Sequence, residues 1–192
     1  MASRDRDAGA PREAARPSRR GALVHGPAEL GNSTIAHTVE ERLHQTRCRT
    51  IVLDGDNIRH GLCGDLGFSA HDREENIRRI GEIAKLFVEG GTVVLTAFVS
   101  PFRRDRERAR GLLLHGDFLE IHCRCPLEIC EQRDPKGHYQ RAKAGQLKDF
   151  TGVSAPYEEP SDPELALDTA RLSIEESVEK VLTLLRDRGV IR

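Results

Sequence analysis

The sequence contains no tryptophan, only two tyrosines and one methionine. It has no apolar run near the roughly 20 residues that a membrane-spanning helix requires, which predicts a soluble protein without a membrane partner. An excess of charge of one sign is also missing, because 30 Lys and Arg against 31 Asp and Glu leave a net charge of −1. This balance argues against nucleic acid as a partner, although a local basic pocket stays possible.

Cysteines are few and odd in number, and they suggest no disulfide framework: Cys48, Cys63, Cys123, Cys125 and Cys130. No apolar signal segment precedes them, so we expect a reducing, cytoplasmic location. The Cys-Arg-Cys spacing at 123–125 does not match zinc sites built on CxxC pairs. Residues 118–125 instead form the pattern of a buried strand, which favours a structural role for these cysteines.

Residues 1–20 differ in composition from the rest of the chain. Six Arg against two Asp and one Glu give this stretch a net charge of +3 with little apolar content. We expect a disordered tail here, followed by one domain over residues 21–192. An Arg-rich and Ala-rich transit peptide is the alternative, but such peptides avoid acidic residues.

From residue 21 onward, short apolar runs alternate with amphipathic segments. The apolar runs cover residues 22–25, 50–53, 92–99, 118–125 and 165–167. Two of the amphipathic segments begin with capping-box patterns, at Ser69 and at Ser173. This alternation predicts an α/β fold with a five-stranded parallel sheet covered by helices on both faces. Ligands bind at the carboxyl ends of the strands in such sheets.

The segment after the first strand, GPAELGNST at residues 26–34, has the outline of a phosphate-binding loop, G-x-x-x-x-G-K-[ST]. Its glycines let backbone amides surround phosphates, and the hydroxyl of Ser33 is suited to hold Mg²⁺. Asn32 occupies the place of the lysine, and Glu29 adds a carboxylate within the loop. The motif by itself is therefore weak evidence.

Two polar clusters follow the second strand. Asp54 and Asp56 flank a glycine and can serve Mg²⁺ and a substrate hydroxyl, or form an ordinary Asp-Gly turn. Arg73 and Asn76 lie three residues apart near the start of the capped helix, so they share one side of it. They are suited to an anion and a base or sugar, or to a solvated helix face.

Two further segments are placed where a ligand would bind. Phe98, Ser100 and Pro101 follow the third strand and suit either a nucleotide pocket or plain packing. A basic, glycine-punctuated segment over residues 133–152 follows the fourth strand. It could close over an anionic ligand as a lid, or it could be a solvated surface helix.

Taken together, the motifs DGDNIRHGL, GFSAHDREENIRRIGEIAKLF, LTAFVSPFR, CEQRDPKGHYQRAKAG and KDFTGVSAPYEEP resemble the adenylylsulfate kinase family. The resemblance extends from about residue 21 to the C-terminus. It implies a three-layer P-loop kinase fold with a basic lid. It also implies transfer of the γ-phosphate of ATP to the 3′-hydroxyl of adenosine 5′-phosphosulfate (APS), giving PAPS in sulfate assimilation, with Mg²⁺ as a cofactor and a homodimer as the assembly.

The resemblance also implies residue roles. Asp56 would orient or deprotonate the 3′-hydroxyl and Asp54 would support Mg²⁺ together with Ser33. Ser100 matches a serine described as a phosphoserine intermediate, although direct in-line transfer requires no covalent step. ATP binding falls on Gly26, Pro27, Ala28, Glu29, Leu30, Gly31, Asn32, Ser33, Thr34 and Arg133. APS binding falls on Asp56, Asn57, Arg59, Phe68, Arg73, Asn76, Phe98, Val99, Ser100, Lys136 and Phe150.

The sequence departs from the family pattern in the loop, which reads roughly G-L-S-G-[SA]-G-K-S-T in the family. Here Glu29 replaces a glycine, Asn32 replaces the lysine, and Pro27 removes an amide donor. Three hypotheses stay open: a working but slow kinase, a pseudokinase that binds APS or PAPS as a sensor or partner subunit, and an enzyme of this fold with another donor or acceptor.

Overall fold

The computed structural model describes residues 21–27, 31–147 and 149–191, so the tail expected at residues 1–20 lies outside the described residues. Within these ranges, five parallel strands form one sheet in the order β2-β3-β1-β4-β5. The strands are β1 (Gly21–His25), β2 (Thr50–Asp54), β3 (Val93–Phe98), β4 (Phe118–Arg124) and β5 (Leu165–Asp168). The expected five-stranded parallel sheet is confirmed.

Helices connect the strands: α1 (Asn32–Gln45), α2 (Gly55–Arg59), α3 (Ala70–Glu89), α4 (Arg103–Gly111), α5 (Leu127–Arg133), α6 (His138–Lys143) and α7 (Ile174–Asp187). Both predicted caps are present. The Ser69 hydroxyl accepts from the amide of Asp72 at the start of α3, and Ser173 forms a reciprocal capping box with Glu176 at the start of α7. In the part of the chain that is described, none of these helices has the length and apolar character needed to cross a membrane.

The helices cover both faces of the sheet, which gives the three layers. On one face, α1 and α7 bury Ile35, Leu43, Val181 and Leu185 against β1, β3 and β4. On the other face, the apolar stripe of α3 packs against β2 and β3. Because both faces are buried, the strands read as continuous apolar runs rather than as alternating ones.

One glycine position shows how tightly the sheet ends are packed. A Cβ at Gly26, directly after β1, would lie 2.2 Å from the carbonyl oxygen of Cys123 in β4. Any side chain would therefore have to displace backbone, so the residue that opens the 26–34 loop is glycine for a packing reason. Cys123 itself is fully buried in β4, as its strand pattern predicts.

Candidate active site

A cleft of about 570 Å³ opens at the carboxyl ends of β1, β2 and β3. It has two walls. We call residues 26–34 the glycine loop, of which Gly31, Asn32, Ser33 and Thr34 form one wall. We call the opposite wall, formed by Arg59, Phe68, Arg73, Asn76 and Ser100, the arginine side. The cleft brings together most of the residues predicted from the sequence: Gly31, Asn32, Ser33, Thr34, Asp54, Asp56, Arg59, Phe68, Arg73, Asn76, Phe98, Val99, Ser100, Lys136 and Phe150.

Some predicted residues are not among those that line the cleft. Gly26, Pro27, Asn57 and Arg133 lie outside its lining, and the predicted Ala28, Glu29 and Leu30 lie outside the described residues. The guanidinium of Arg133 donates to the carbonyl oxygens of Thr169 at 2.7 Å and Ala170 at 3.4 Å, after β5. Its role near the ATP phosphates stays a prediction.

The described parts of the glycine loop keep the backbone geometry of a phosphate site. Gly31 takes a φ of 80°, which favours glycine, and its carbonyl accepts from the amide of Ile35 to start α1. The side-chain amide of Asn32 donates to the carbonyl of Gly26 at 3.4 Å, a long contact across the base of the loop. The helix N-terminus therefore faces the cleft, but Asn32 brings no positive charge to it.

Asp54 and Asp56 lie at the junction of β2 and α2. Asp54 caps α2, because its Oδ1 accepts from the amide of Asp56 at 2.9 Å. The second oxygen of Asp54 is buried and has no hydrogen-bond partner within the described residues. Ser33 lines the same cleft. A carboxylate oxygen and a hydroxyl are the donor types that Mg²⁺ prefers, so this pair fits that ion.

The arginine side is organised around Phe68, an exposed aromatic ring. The Arg59 guanidinium lies 4.4 Å from the ring centroid and that of Arg73 lies 5.7 Å from it. Arg59 also donates to the carbonyl of Gly67 at 2.9 Å, and Arg73 donates to the carbonyl of Phe68 at 3.0 Å. Burial lowers the pKa of Arg73, and the charge of Arg59 lowers it further. These two cations are therefore held side by side, an arrangement that attracts an anion.

Two buried polar groups complete the arginine side. Asn76 on α3 and Ser100 after β3 are 4% and 2% exposed, and both line the cleft. Asn76 Oδ1 and Ser100 Oγ have no hydrogen-bond partner among the residues described. Buried polar atoms are costly without partners, so the cleft offers positions that a polar ligand would satisfy.

The segment between β4 and β5, where a lid was predicted, supplies Lys136, His138 and Phe150 to the lining of the cleft. Lys136 Nζ lies 2.9 Å from Asp56 Oδ2, and Arg73 donates to the carbonyl of Asp149 at 2.7 Å. The Phe150 ring packs edge-on against buried Tyr139 of α6, with ring centroids 5.1 Å apart. The lid therefore contacts Arg73 on the arginine side and Asp56 beside it, and both contacts involve charged side chains.

Sequence reasoning did not assign several residues that line the cleft: Gly55, Ile77, Ala97, Pro135, His138, Leu147 and Thr151. Ile77 has a signal of its own, because it follows Asn76 on the same stripe of α3. His138 and Thr151 stand inside the basic segment, but the sequence does not show which of its side chains turn inward. Nothing in the sequence around Leu147 indicates that it lines the cleft.

A buried polar network surrounds the end of β1, and no pattern in the sequence indicated it. His25, the last residue of β1, places Nε2 2.9 Å from Glu120 Oε1 and Nδ1 2.9 Å from the Tyr157 hydroxyl. His122 stacks on His25 and on Tyr157, with ring centroids 5.3 Å and 5.9 Å away. Burial and the charges of His25 and Arg106 lower the pKa of His122 to about 4.

Comparison with known proteins gives concordant results. The family model described as adenylylsulphate kinase matches residues 21–168. The adenylyl-sulfate kinase of Acaryochloris marina is 55% identical over 87% of this chain and 82% of its own length. That of Geotalea daltonii is 56% identical over 84% of this chain and 79% of its own.

A solved structure is similar over the whole domain. It is the Mycobacterium tuberculosis APS kinase in complex with AMPPNP and APS, with a TM-score of 0.84 and 41% identity. The match covers 88% of this chain and 99% of that chain. The similarity thus extends from sequence to fold.

Proposed function

We propose that this chain, which belongs to the adenylylsulphate kinase family, transfers the γ-phosphate of ATP to the 3′-hydroxyl of APS and so forms PAPS. The observation that carries this proposal is the arginine side, where two guanidinium groups flank an aromatic ring beside the buried Asn76 and Ser100. A ligand that is at once anionic, aromatic and rich in hydroxyl groups matches these three features.

The arginine side would bind the acceptor. Arg59 and Arg73 would bind the phosphosulfate, since charge-assisted hydrogen bonds to an anion are the strong ones. Asn76 and Ser100 would meet polar edges of the nucleoside. Phe68 and Phe150 would stack on or enclose the adenine, because both rings line the cleft.

Asp56 would prepare the attacking hydroxyl. Its carboxylate is mostly exposed and pairs with Lys136 of the lid at 2.9 Å. An exposed pair of this kind contributes little to stability, so a substrate hydroxyl can replace the lysine at one carboxylate oxygen. Asp56 would then orient the hydroxyl or accept its proton, while Lys136 stays close enough to interact with the bound anion.

The glycine loop would bind ATP through the backbone amides at the start of α1. Asp54 and Ser33 would hold Mg²⁺, which supplies positive charge to the phosphate oxygens when it is bound. Asn32 can donate a hydrogen bond to a phosphate but cannot offset its charge as a lysine does. We therefore infer a slow kinase whose rate is limited by its ATP site.

A coupled assay tests this function directly. Purified full-length protein is given MgATP and APS, and both ADP release and PAPS formation are followed. We expect APS-dependent PAPS formation that is lost in Asp56→Asn, with Glu179→Gln on the exposed face of α7 as the control. APS binding without PAPS formation would instead support a pseudokinase, which the kinase names of the relatives do not favour.

The assembly and location are part of the same proposal. We propose a cytoplasmic homodimer, which light scattering of the purified protein and fractionation of cells would test. The hexameric APS kinase from Thiobacillus denitrificans has a similar structure, with a TM-score of 0.67 and 30% identity. The match covers 92% of this chain but only 31% of the longer Thiobacillus chain. A hexamer is therefore the outcome that would most directly contradict the dimer.

A further inference from the structure

Ser100 has an unusual backbone conformation for its residue type. Its φ is 42°, in the left-handed region that non-glycine residues rarely adopt. It directly follows β3, it is 2% exposed and it is one of the residues that line the cleft. Its hydroxyl oxygen is buried and has no hydrogen-bond partner within the described residues. Strained residues of this kind persist only where the surrounding structure holds them, so a restraining contact has to exist.

Arg106 on α4 makes that contact. The guanidinium is 2% exposed and donates to the carbonyl oxygen of Ser100 at 2.7 Å. It also donates to the carbonyl of Glu158 at 2.7 Å, in the segment that follows the lid. Its Nε donates to Glu120 Oε1 at 2.8 Å. One side chain thus joins the end of β3, strand β4 and the segment after the lid.

Glu120 holds the Arg106 guanidinium at its Nε atom. Burial disfavours the charged carboxylate of Glu120. The hydrogen bond from His25, the charges of His25 and Arg106 and the hydrogen bond from Arg110 outweigh that effect and lower the pKa of Glu120 to about 2. The amide of Glu158 donates back to the carbonyl of Pro101 at 2.8 Å, so the two segments that Arg106 joins also bind each other. The planar guanidinium is therefore held on three sides.

We propose that Arg106 is a positioning residue for the acceptor: it keeps Ser100, at the wall of the cleft, in its strained conformation and couples it to the segment after the lid. The inference rests on the proposed function, because the ligand that meets Ser100 is APS. Without the guanidinium, Ser100 relaxes to a negative φ and its hydroxyl leaves the position in which it meets the ligand.

Arg106→Lys and Arg110→Lys form a matched pair of variants. Both arginines lie on α4 and both contact Glu120, but Arg110 also donates hydrogen bonds to Glu164 and to the carbonyl of Phe118, which do not line the cleft. A lysine keeps the charge opposite Glu120, whereas a single ammonium cannot reproduce the planar fork. Calorimetry with APS and with MgAMPPNP, and thermal unfolding, are measured for both.

We expect Arg106→Lys to weaken APS binding roughly threefold to tenfold, because the contact with the ligand that is lost is a neutral hydrogen bond of the Ser100 hydroxyl. AMPPNP binding should stay within about twofold for both variants. APS binding should stay within about twofold in Arg110→Lys, because substitutions at sites that share no contacts affect each other little. Equal weakening of APS binding by the two variants would overturn the positioning role. Wild-type protein that does not bind APS would overturn the proposed function and this inference with it.

A second pair of variants leaves Arg106 in place and so avoids its effect on folding. Ser100→Ala and Ser100→Gly both remove the hydroxyl, but glycine adopts a positive φ without strain. We expect Ser100→Gly to unfold at a higher temperature than Ser100→Ala. In a separate comparison, Arg106→Lys should destabilise the Ser100→Gly variant less than it destabilises the wild type. An alanine variant at least as stable as the glycine variant would show that residue 100 is not strained and would overturn the proposal.

Discussion

The arginine side of the cleft is built from side chains that hold one another, whereas the glycine loop is built from backbone geometry. Arg59 and Arg73 lie against Phe68 and bind carbonyl groups of their own neighbourhood, so their charges are placed before any ligand arrives. The loop depends on Gly26, which no side chain could replace, and on the left-handed Gly31. Asn32 stands where the family pattern has a lysine.

This difference separates two requirements of a phosphate site. Backbone amides and a helix N-terminus can position a phosphate, but neutralising the charge that moves during transfer needs a cation. The cations that line the described part of the cleft are Arg59, Arg73 and Lys136, which have partners on the arginine side or at Asp56. We therefore expect an acceptor pocket of ordinary affinity beside a donor pocket with weakened affinity for ATP.

The largest effect is expected at Asp56, where the two pockets meet. Asp56→Asn keeps the size of the side chain but removes the base, so turnover should fall by roughly 10²–10⁴. APS affinity should change much less, because the other contacts on the arginine side remain. Steady-state rates and calorimetry measure the two quantities. Retained turnover in this variant would reassign the role, with Asp54 as the next candidate.

A smaller effect is expected at Arg73. Charge-assisted contacts contribute roughly 1.5–3 kcal/mol, so Arg73→Ala should weaken APS binding about tenfold or more. Arg78→Ala is the matched control, since Arg78 lies on the same helix but pairs with Glu75 and does not line the cleft. Titration calorimetry compares them. Unchanged affinity in Arg73→Ala would remove α3 from the acceptor pocket.

The smallest effect is expected in the pH dependence of the free energy of unfolding, which depends on the buried network around His25 and His122. Because the pKa of His122 is lowered to about 4 in the folded protein, the unfolded chain binds more protons between pH 6.5 and 4. The free energy of unfolding should therefore fall as the pH falls through this range, by on the order of 2 kcal/mol from His122. His122→Asn should remove that part of the slope.

Urea denaturation at several pH values measures this slope. His115→Asn serves as the control, because His115 lies exposed in the loop before β4. His25 contributes in the same direction, since burial lowers its pKa as well, so some slope should remain in His122→Asn. Identical slopes in the wild type and in His122→Asn would show that His122 is not held neutral by its surroundings.

Local patterns were enough to predict the parts of the molecule that depend on neighbouring residues. The apolar runs predicted the strands to within a residue or two, and the Ser69 and Ser173 patterns predicted where α3 and α7 begin. The segment after Asp54 forms the short helix α2 and not only a turn, because the Asp54 side chain caps it. Capping and periodicity act over a few residues, so a sequence shows them.

Contacts between distant segments could not be predicted in this way. His25, Glu120 and Tyr157 meet from three segments far apart in the chain, and no periodicity relates them. Arg106 reads as one of many charges on a basic helix, although it is buried. On the arginine side, Arg73, Asn76 and Ser100 were candidates from their positions in the sequence, whereas Arg59 and Phe68 were found because the motifs resemble a family. The mutual arrangement of the five residues became visible only in the fold.

The donor loop offers the most direct test of the account. PAPS formation is measured at saturating APS, together with MgATP affinity, for the wild type and for Asn32→Lys combined with Glu29→Gly. Loss of a preorganised donor costs a factor of roughly 10²–10³, so we expect the wild type to be at least about 10²-fold slower than a relative whose loop carries the lysine. The restored variant should gain both rate and MgATP affinity, with APS affinity unchanged. A wild type that already turns over at an ordinary kinase rate of roughly 1–100 s⁻¹ would contradict the account, because another group would then replace the lysine.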